Sequence, residues 1–474
     1  MKKQFLNFAL ALLGATAVLT SCDPNENGGD DNGTESNEVI LKAEIKGTRN
    51  LVKDSVYILE GQINVSGTIN IAAGTVIKGD KVTKGCLVVV PGGKINAIGT
   101  ASQPIIFTSR MEPGLRAAGD WGGLVICGKA PVNQSTATVE GLSNEVVYSG
   151  GTNPADNSGT LQYVRIEFAG IALQPDKEIN GLTLCAVGSG TTIDHIQVSY
   201  SGDDSFEFFG GKVNAKYLVA YCGLDDDFDT DYGYSGNLQF GLAVRNARTA
   251  DVSASNGFES DNDGKGTTAQ PKTKAVFSNF TLIGPYKTTT DGNVNSNFGA
   301  GMHIRRNSSI SVFNTVIAGW NTAGLLLDGS ATYANAKDSS TLVIQNCAIV
   351  GTKVIAVKGD GTGVTNTQAQ DFYNTTAYNN KIILATYNKT APIEADSSAL
   401  ISKSFYLANS TGTAAIPTSF LPETGSSLLT GAAFTHAKLS SSFFDKTGTF
   451  IGAFGTTDWT KEAWVNFDPQ NTVY

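Results

Sequence analysis

The residues of this chain best suited to chemistry recur inside one short phrase. It reads Ser205-Phe-Glu-Phe-Phe-Gly210, Asp227-Phe-Asp-Thr-Asp-Tyr-Gly233, Gly257-Phe-Glu-Ser-Asp-Asn262, Gly301-Met-His-Ile-Arg-Arg306 and Gly324-Leu-Leu-Leu-Asp-Gly329. Alternate positions are apolar or small: Phe206/Phe208, Phe228/Thr230, Phe258/Ser260, Met302/Ile304 and Leu325/Leu327. Between them stand Glu207, Asp229, Asp231, Glu259, Asp261, His303, Arg305 and Asp328. Successive side chains of a strand point to opposite faces. Strands stacked in register would therefore gather these polar residues into one outward stripe.

Neighbouring strands lie about 4.8 Å apart. Two carboxylates at that spacing repel by roughly 1 kcal/mol in water, and by about 3 to 4 kcal/mol at an effective dielectric near 20. Glu207, Asp229 and Glu259 would form one column, with Asp231 and Asp261 in the next. Asp203, Asp204, Asp225, Asp226 and Asp227 crowd the turns leading in. Arg305 and Arg306 arrive only one phrase later, so the acids call for a cation or for turn amides and water. Oxygen donors without thiols favour Ca²⁺ over transition metals. The expected ligand set is Glu207, Asp225, Asp226, Asp227, Asp229, Asp231, Glu259 and Asp261. The bland alternative is that Asp in tight turns bonds its own backbone.

The same stripe has residues to consider for catalysis. Of three histidines, His195 sits at a half-buried strand position and His436 in irregular sequence, which leaves His303 as the site candidate. Arg305 lies near Glu259 and Asp261, with Lys212 and Lys216 as other nearby cations, although an arginine serves as a base only in an unusual state. Gly202-Asp203-Asp204 resembles the paired-acid signature of polygalacturonase-type glycosidases, in which two carboxylates act as acid and base. The Gly-His-Gly and Arg-Ile-Lys that complete that signature are absent. Phe209, Tyr232 and Tyr234 could stack on sugar rings, and the polar loops Thr267 to Lys274 and Thr288 to Asn297 could border a groove.

A repeating coil must position such a stripe. A second phrase alternates with the first: Leu161 to Gly170, Ile193 to Gly202, Val213 to Gly223, Phe277 to Gly284, Val312 to Gly319 and Val343 to Gly351, each a β-branched and aromatic strand closed by glycine. One pair makes a rung of about 22 to 25 residues, a solenoid period. Parallel strands coiled in this way stack their inward side chains into a continuous core. No segment shows a helical period with caps. Cys86, Cys127, Cys185, Cys222 and Cys347 sit singly in apolar runs and read as buried small hydrophobes, not as a disulfide or zinc framework.

A chain of 474 residues with 41% hydrophobic side chains can bury a large core, and a net charge of −9 leaves no basic stripe for nucleic acid. Lys2-Lys3 and the apolar run Phe5 to Val18 read as a leader. It ends in Leu19-Thr20-Ser21-Cys22, which resembles the lipobox of bacterial lipoproteins, in which the cysteine carries the lipid. Residues 1–21 are then a signal peptide and residues 22–38 an acidic tether without apolar side chains. That acidic run resembles the surface-export signal of Bacteroidetes lipoproteins; a plain spacer would leave the protein facing the periplasm.

Gly74-Thr-Val-Ile77, the segment Ala97 to Ser109, and Asp120-Trp-Gly-Gly123 resemble right-handed parallel β-helix (pectin-lyase-like) proteins. More narrowly they are similar to the secreted and lipid-anchored β-helix proteins of Bacteroidetes and other Gram-negative bacteria, whose Asp-Asp-Ser-Phe-Glu-Phe-Phe-Gly-Gly phrase is here Asp203 to Gly211. The resemblance covers most of residues 39 to 365 and implies an all-β fold, a right-handed parallel β-helix. The rung pattern dissolves beyond about residue 395, so the coil is expected over 39–395 and an irregular capping segment over 396–474. It implies no particular activity. Two readings follow: a non-catalytic outer-membrane adhesion or glycan-binding protein with a Ca²⁺-loaded acidic face, or a Ca²⁺-dependent polysaccharide lyase or glycosidase along the same stripe.

Overall fold

A computed structural model describes residues 38–174, 177–286, 294–338, 340–384 and 419–474. Cys22, the leader, the tether up to Asn37, the 395/396 boundary and part of the Thr288 to Asn297 loop lie outside these residues.

The described chain is a right-handed parallel β-helix. Among the described residues, ten short strands pair in parallel into one sheet, here the site sheet, which runs from Gln62–Val65 to Ile355–Gly359. Its phrase strands are Phe206–Phe209, Phe228–Asp231, Phe258–Ser260, Ala300–Ile304 and Ala323–Leu327. Alternate residues point inward: Phe206/Phe208, Phe228/Thr230, Phe258/Ser260, Met302/Ile304 and Leu325/Leu327. Phe206 stacks on Phe228 at 5.1 Å between ring centroids, and Phe228 meets Phe258 edge-on at 5.9 Å. Met302 and Leu325 continue the same fully buried column. The second inward column changes from aromatic to polar: Thr230 Oγ1 donates to Ser260 Oγ at 2.8 Å, and the Ser260 and Ser308 hydroxyls lie 2.6 Å apart. These buried hydroxyls satisfy one another.

The other two faces come from long strands that bend. Gly159–Glu167, Thr192–Ser199, Asn214–Tyr221, Asn237–Val244 and Val276–Ile283 each pair with their neighbours both before and after one residue of positive φ. Those residues are Tyr163 (φ 51°), His195 (56°), Tyr217 (54°), Phe240 (62°) and Asn279 (59°), and Asn314 (51°) and Asn346 (55°) extend the line. Asparagine tolerates this left-handed region; the bulky residues are strained there. Stacking offsets the strain. Tyr163 and His195 lie 4.3 Å apart, as do His195 and Tyr217, and Tyr217 lies 5.1 Å from Phe240. His195 is thus a structural residue sandwiched between tyrosines.

The expected end cap takes another form. Within 419–474 the chain folds back along the flank of the coil and covers the bend residues. Trp464 stands edge-on to His195 at 5.2 Å, and Trp459 edge-on to Tyr217 at 5.5 Å. Side-chain amides of the coil clip the strap's backbone: Gln197 exchanges two 2.7 Å bonds with Asn466, and Gln239 two with Asp445. The final residue, Tyr474, donates its hydroxyl to buried Glu167 at 2.6 Å. The aromatic bend ladder would otherwise expose its edges, so burying it is the stronger demand. The end of the core is covered instead by a short helix, α2 (Asn366–Tyr373), whose Ala369, Phe372 and Tyr373 join the core. Its Thr365–Gln368 capping box, like helix α1 (Ser330–Lys337), departs from the expectation of no helix. All five cysteines of the described residues are buried and free.

Candidate functional site

The outward residues of the phrase strands stand in register across the site sheet: Thr183, Glu207, Asp229, Glu259, His303 and Leu326 form one column. The column lies on the outer wall but is half-buried, not freely exposed. It divides into two halves of opposite character.

In the first half the acids meet without a cation. Carboxylate oxygens of Asp203, Asp204 and Asp225 lie within 4.8 Å of one another, and so do those of Asp204, Glu207 and Asp229. Asp204 belongs to both groups. Among the described residues, none of these five forms an ion pair with a basic side chain. Burial, then the charge of Asp225, pushes the Asp203 carboxyl up to about 8. Burial raises Asp225 to about 6. Asp204, Glu207 and Asp229 are all driven well above the usual carboxylate range, first by burial and then by neighbouring acids. One oxygen of Asp225, Oδ1, is buried without a hydrogen-bond partner. A hard cation fits this set, since it would satisfy that oxygen and remove the repulsion together.

Some of these acids also hold the turns together. Asn180, Asp204, Asp226 and Asn256 each stand three positions before a column residue. Asp204 Oδ1 accepts the backbone N–H of Asp226 at 2.8 Å, Asp226 Oδ1 accepts that of Asn256, and Asn256 Oδ1 accepts that of Ala300 at 2.8 Å. Asn180 donates to Glu207. Asn256 makes the same ladder bond without a charge. The ladder therefore does not account for the carboxylates of Asp204 and Asp226.

In the second half every acid is paired. Arg305 binds Glu259 through Nη2 and Asp261 through Nε, the latter at 2.9 Å, and Arg306 reaches Asp261 at 2.6 Å. His303 bridges Glu259 at 3.5 Å and Asp328 at 3.0 Å. Burial alone would raise Glu259, but hydrogen bonding to His303 and the charge of Arg305 hold it below its ordinary value. Burial would lower His303, and its bonds to Asp328 and Glu259 raise it instead. Arg305 is raised above its already high value, because Glu259 and Asp261 outweigh its burial.

A loop roofs the early rungs. Val139, Leu142, Val146 and Tyr148 pack on Cys86, Val88, Val125 and Cys127 of the site sheet, and the Tyr148 and Phe209 rings lie 6.2 Å apart. The same loop donates from Asn133 Nδ2 to the Asn262 carbonyl at 2.6 Å. Its Glu140 adds to the charge that raises Asp203.

With this architecture in view, the comparisons are direct. The chain matches the family model described as pectate-lyase-like β-helix domain over residues 43–391. It belongs to the pectate-lyase-like β-helix family. The chain is also similar to the crystal structure of pectate lyase Pel9A, at 13% identity and a TM-score of 0.38, over 83% of this chain and 88% of that one. No curated protein matches the sequence.

Several expected site residues are placed elsewhere by this family member. Asp227 turns inward and pairs with fully buried Arg245 at 2.9 Å, so it is unavailable to the acidic cluster. The turn breaks the strand alternation that would have put it beside Asp229. Asp231 lies outside both carboxylate groups, with Oδ1 accepting its neighbour Tyr232 N–H at 2.6 Å. Asp226 lies outside both carboxylate groups, its Oδ1 accepting the Asn256 N–H. Arg305 approaches Glu259 and Asp261 as expected, and with Arg306 at Asp261 it pairs these two acids and removes them from the ligand set. Tyr234 is no sugar platform, for it is fully buried, stacked on Phe208 at 4.6 Å, and donates to the Val213 carbonyl. Phe209 is half-covered between Tyr148 and Tyr232. The residues not foreseen are Asn180, Asn256, Arg245 and Glu140. The constant offset of three from the column would have revealed the two asparagines.

Proposed function

We propose that the protein is a non-catalytic, Ca²⁺-loaded binder of acidic polysaccharide, held in the outer membrane by lipid on Cys22. The observation that carries the ion is the cluster of Asp203, Asp204, Glu207, Asp225 and Asp229, which lacks a basic partner while the adjoining rungs have one. Asp203, Asp204 and Asp225 would hold the ion from the turns, with Glu207 and Asp229 supporting it from the strands. Bound there, Ca²⁺ would supply positive charge for the carboxylates of a glycan. Family membership supports a polysaccharide as the ligand class.

The residues argue against catalysis. Arg305, just after the column strand Ala300–Ile304, is engaged by two carboxylates and raised further from the range in which it could accept a proton. Asp204 is buried with one oxygen committed to the turn ladder, which ill suits a general acid facing a sugar. His303 is held between Glu259 and Asp328.

The test is binding to uronate-rich polysaccharides in Ca²⁺ and again in chelator, while ultraviolet absorbance is followed for unsaturated products. The reading expects retention that weakens in chelator and no rise in absorbance. A rise would establish the lyase, and retention indifferent to chelator would remove the ion from the function. Labelling by a lipid precursor, abolished in Cys22→Ala, is the expected signature of the anchor; labelling that survives the substitution would refute it. Protease accessibility on intact cells separates the cell surface from the periplasmic face.

A further inference from the structure

The opposite edge of the site sheet carries the reverse charge. A cleft of about 700 Å³ is lined by Lys212, Lys272, Lys274 and Lys438, with Pro131 and Pro271 among its apolar walls. The lysines converge from separate places. Lys212 follows the strand Phe206–Phe209, Lys272 and Lys274 follow Phe258–Ser260, and Lys438 comes from the strap. Two are fixed by neutral partners: Lys272 Nζ donates to Asn307 and Asn335, each at 2.8 Å, and Lys438 Nζ to Ser311 at 2.7 Å and to the Thr341 carbonyl. Lys212 and Lys274 are exposed and bond no acid among the described residues. Burial, then the charge of Lys274, lowers Lys438 to about 8, opposed by exposed Asp338. Four lysines around one cleft, with Asp338 the acid acting on Lys438, concentrate positive charge in a chain of net charge −9.

We propose that this cleft binds an anionic oligosaccharide, its carboxylates or sulfates meeting Lys212 and Lys274 while its rings lie against the proline walls. The volume falls in the range of small-molecule sites and far exceeds the need of one inorganic oxyanion. Lysine is a mobile point charge that accepts carboxylate and sulfate alike. The choice of a saccharide rests on the glycan reading above; the charge of the ligand does not, and no ion in the acidic cluster is required.

The experiment titrates the full chain, in chelator, with a uronate oligosaccharide, a sulfated one, a neutral one of equal length and inorganic sulfate. Binding of at least one acidic oligosaccharide is expected, weakened about tenfold in Lys212→Gln/Lys274→Gln with an unchanged unfolding midpoint. Equal affinity in that variant, or neutral sugar binding as tightly as acidic, overturns the inference. Inorganic sulfate matching the oligosaccharides overturns the saccharide assignment. Acidic glycan bound only with Ca²⁺, and unaffected by the variant, sinks the lysine cleft and leaves the acidic face standing. Chelator-resistant binding lost in the variant, with no Ca²⁺ bound by the chain, supports the cleft and sinks the acidic face.

Discussion

Two stretches of one column, built on the same backbone repeat, solve the problem of stacked carboxylates in different ways. Around Glu259 and Asp261 the answer is internal: Arg305, Arg306 and His303 stand within reach, and the turn position before them is the neutral Asn256. Around Glu207 and Asp229 no ion pair forms among the described residues, and only the charge of Arg305 reaches Asp229 from the next half. The matching turn positions are Asp204 and Asp226, which add charge where an asparagine makes the same bond. The contrast shows that the fold does not need these acids. A rung can be closed and stacked without net negative charge, and the charge kept in the first half is what the proposed ion would use.

The largest way to break the comparison is to strip the self-neutralised half. Arg305→Ala leaves Glu259 and Asp261 half-buried and short of their partner, and should cost about 3 to 5 kcal/mol in denaturant unfolding, with or without Ca²⁺. A loss that Ca²⁺ reverses would mean that the two halves are not distinct. A smaller effect of opposite sign sharpens it. Asp204→Asn retains the amide oxygen for the Asp226 N–H and removes one of the clustered charges. In chelator it should stabilise the protein by about 1 kcal/mol or more above the raised range in which the buried Asp204 carboxyl ionises, and by little below it, in unfolding measured against pH. Destabilisation there would show the carboxylate to be structural.

The coil was legible because its signals are periodic. Glycine-closed strands and the alternation in Phe206 to Phe209 or Phe228 to Asp231 set both the fold and the register of Glu207, Asp229, Glu259 and His303. What stayed hidden depended on contacts with no periodicity. The bend residues Tyr163, His195, Tyr217 and Phe240 carry no sequence mark of a left-handed backbone. The strap's path is set by Gln197, Gln239 and Asn314, which lie far from it in sequence. Eight-residue helices are too short for a clear apolar period, although the capping box Thr365–Gln368 was there to be read. Arg306 joins Arg305 at Asp261 because its side chain is long, and Asp227 turns inward because a turn suspends strand alternation.

The central claim is that the uncompensated half binds Ca²⁺ and the compensated half does not. Calorimetric titration of the chain with Ca²⁺, set beside Glu207→Gln/Asp229→Asn and Glu259→Gln, tests it most directly. The account predicts saturable binding in the parent and in Glu259→Gln, lost in the double variant, with about 2.7 kcal/mol of added stability at a hundredfold excess over Kd. Absence of binding in the parent, or binding unchanged in the double variant, would contradict it.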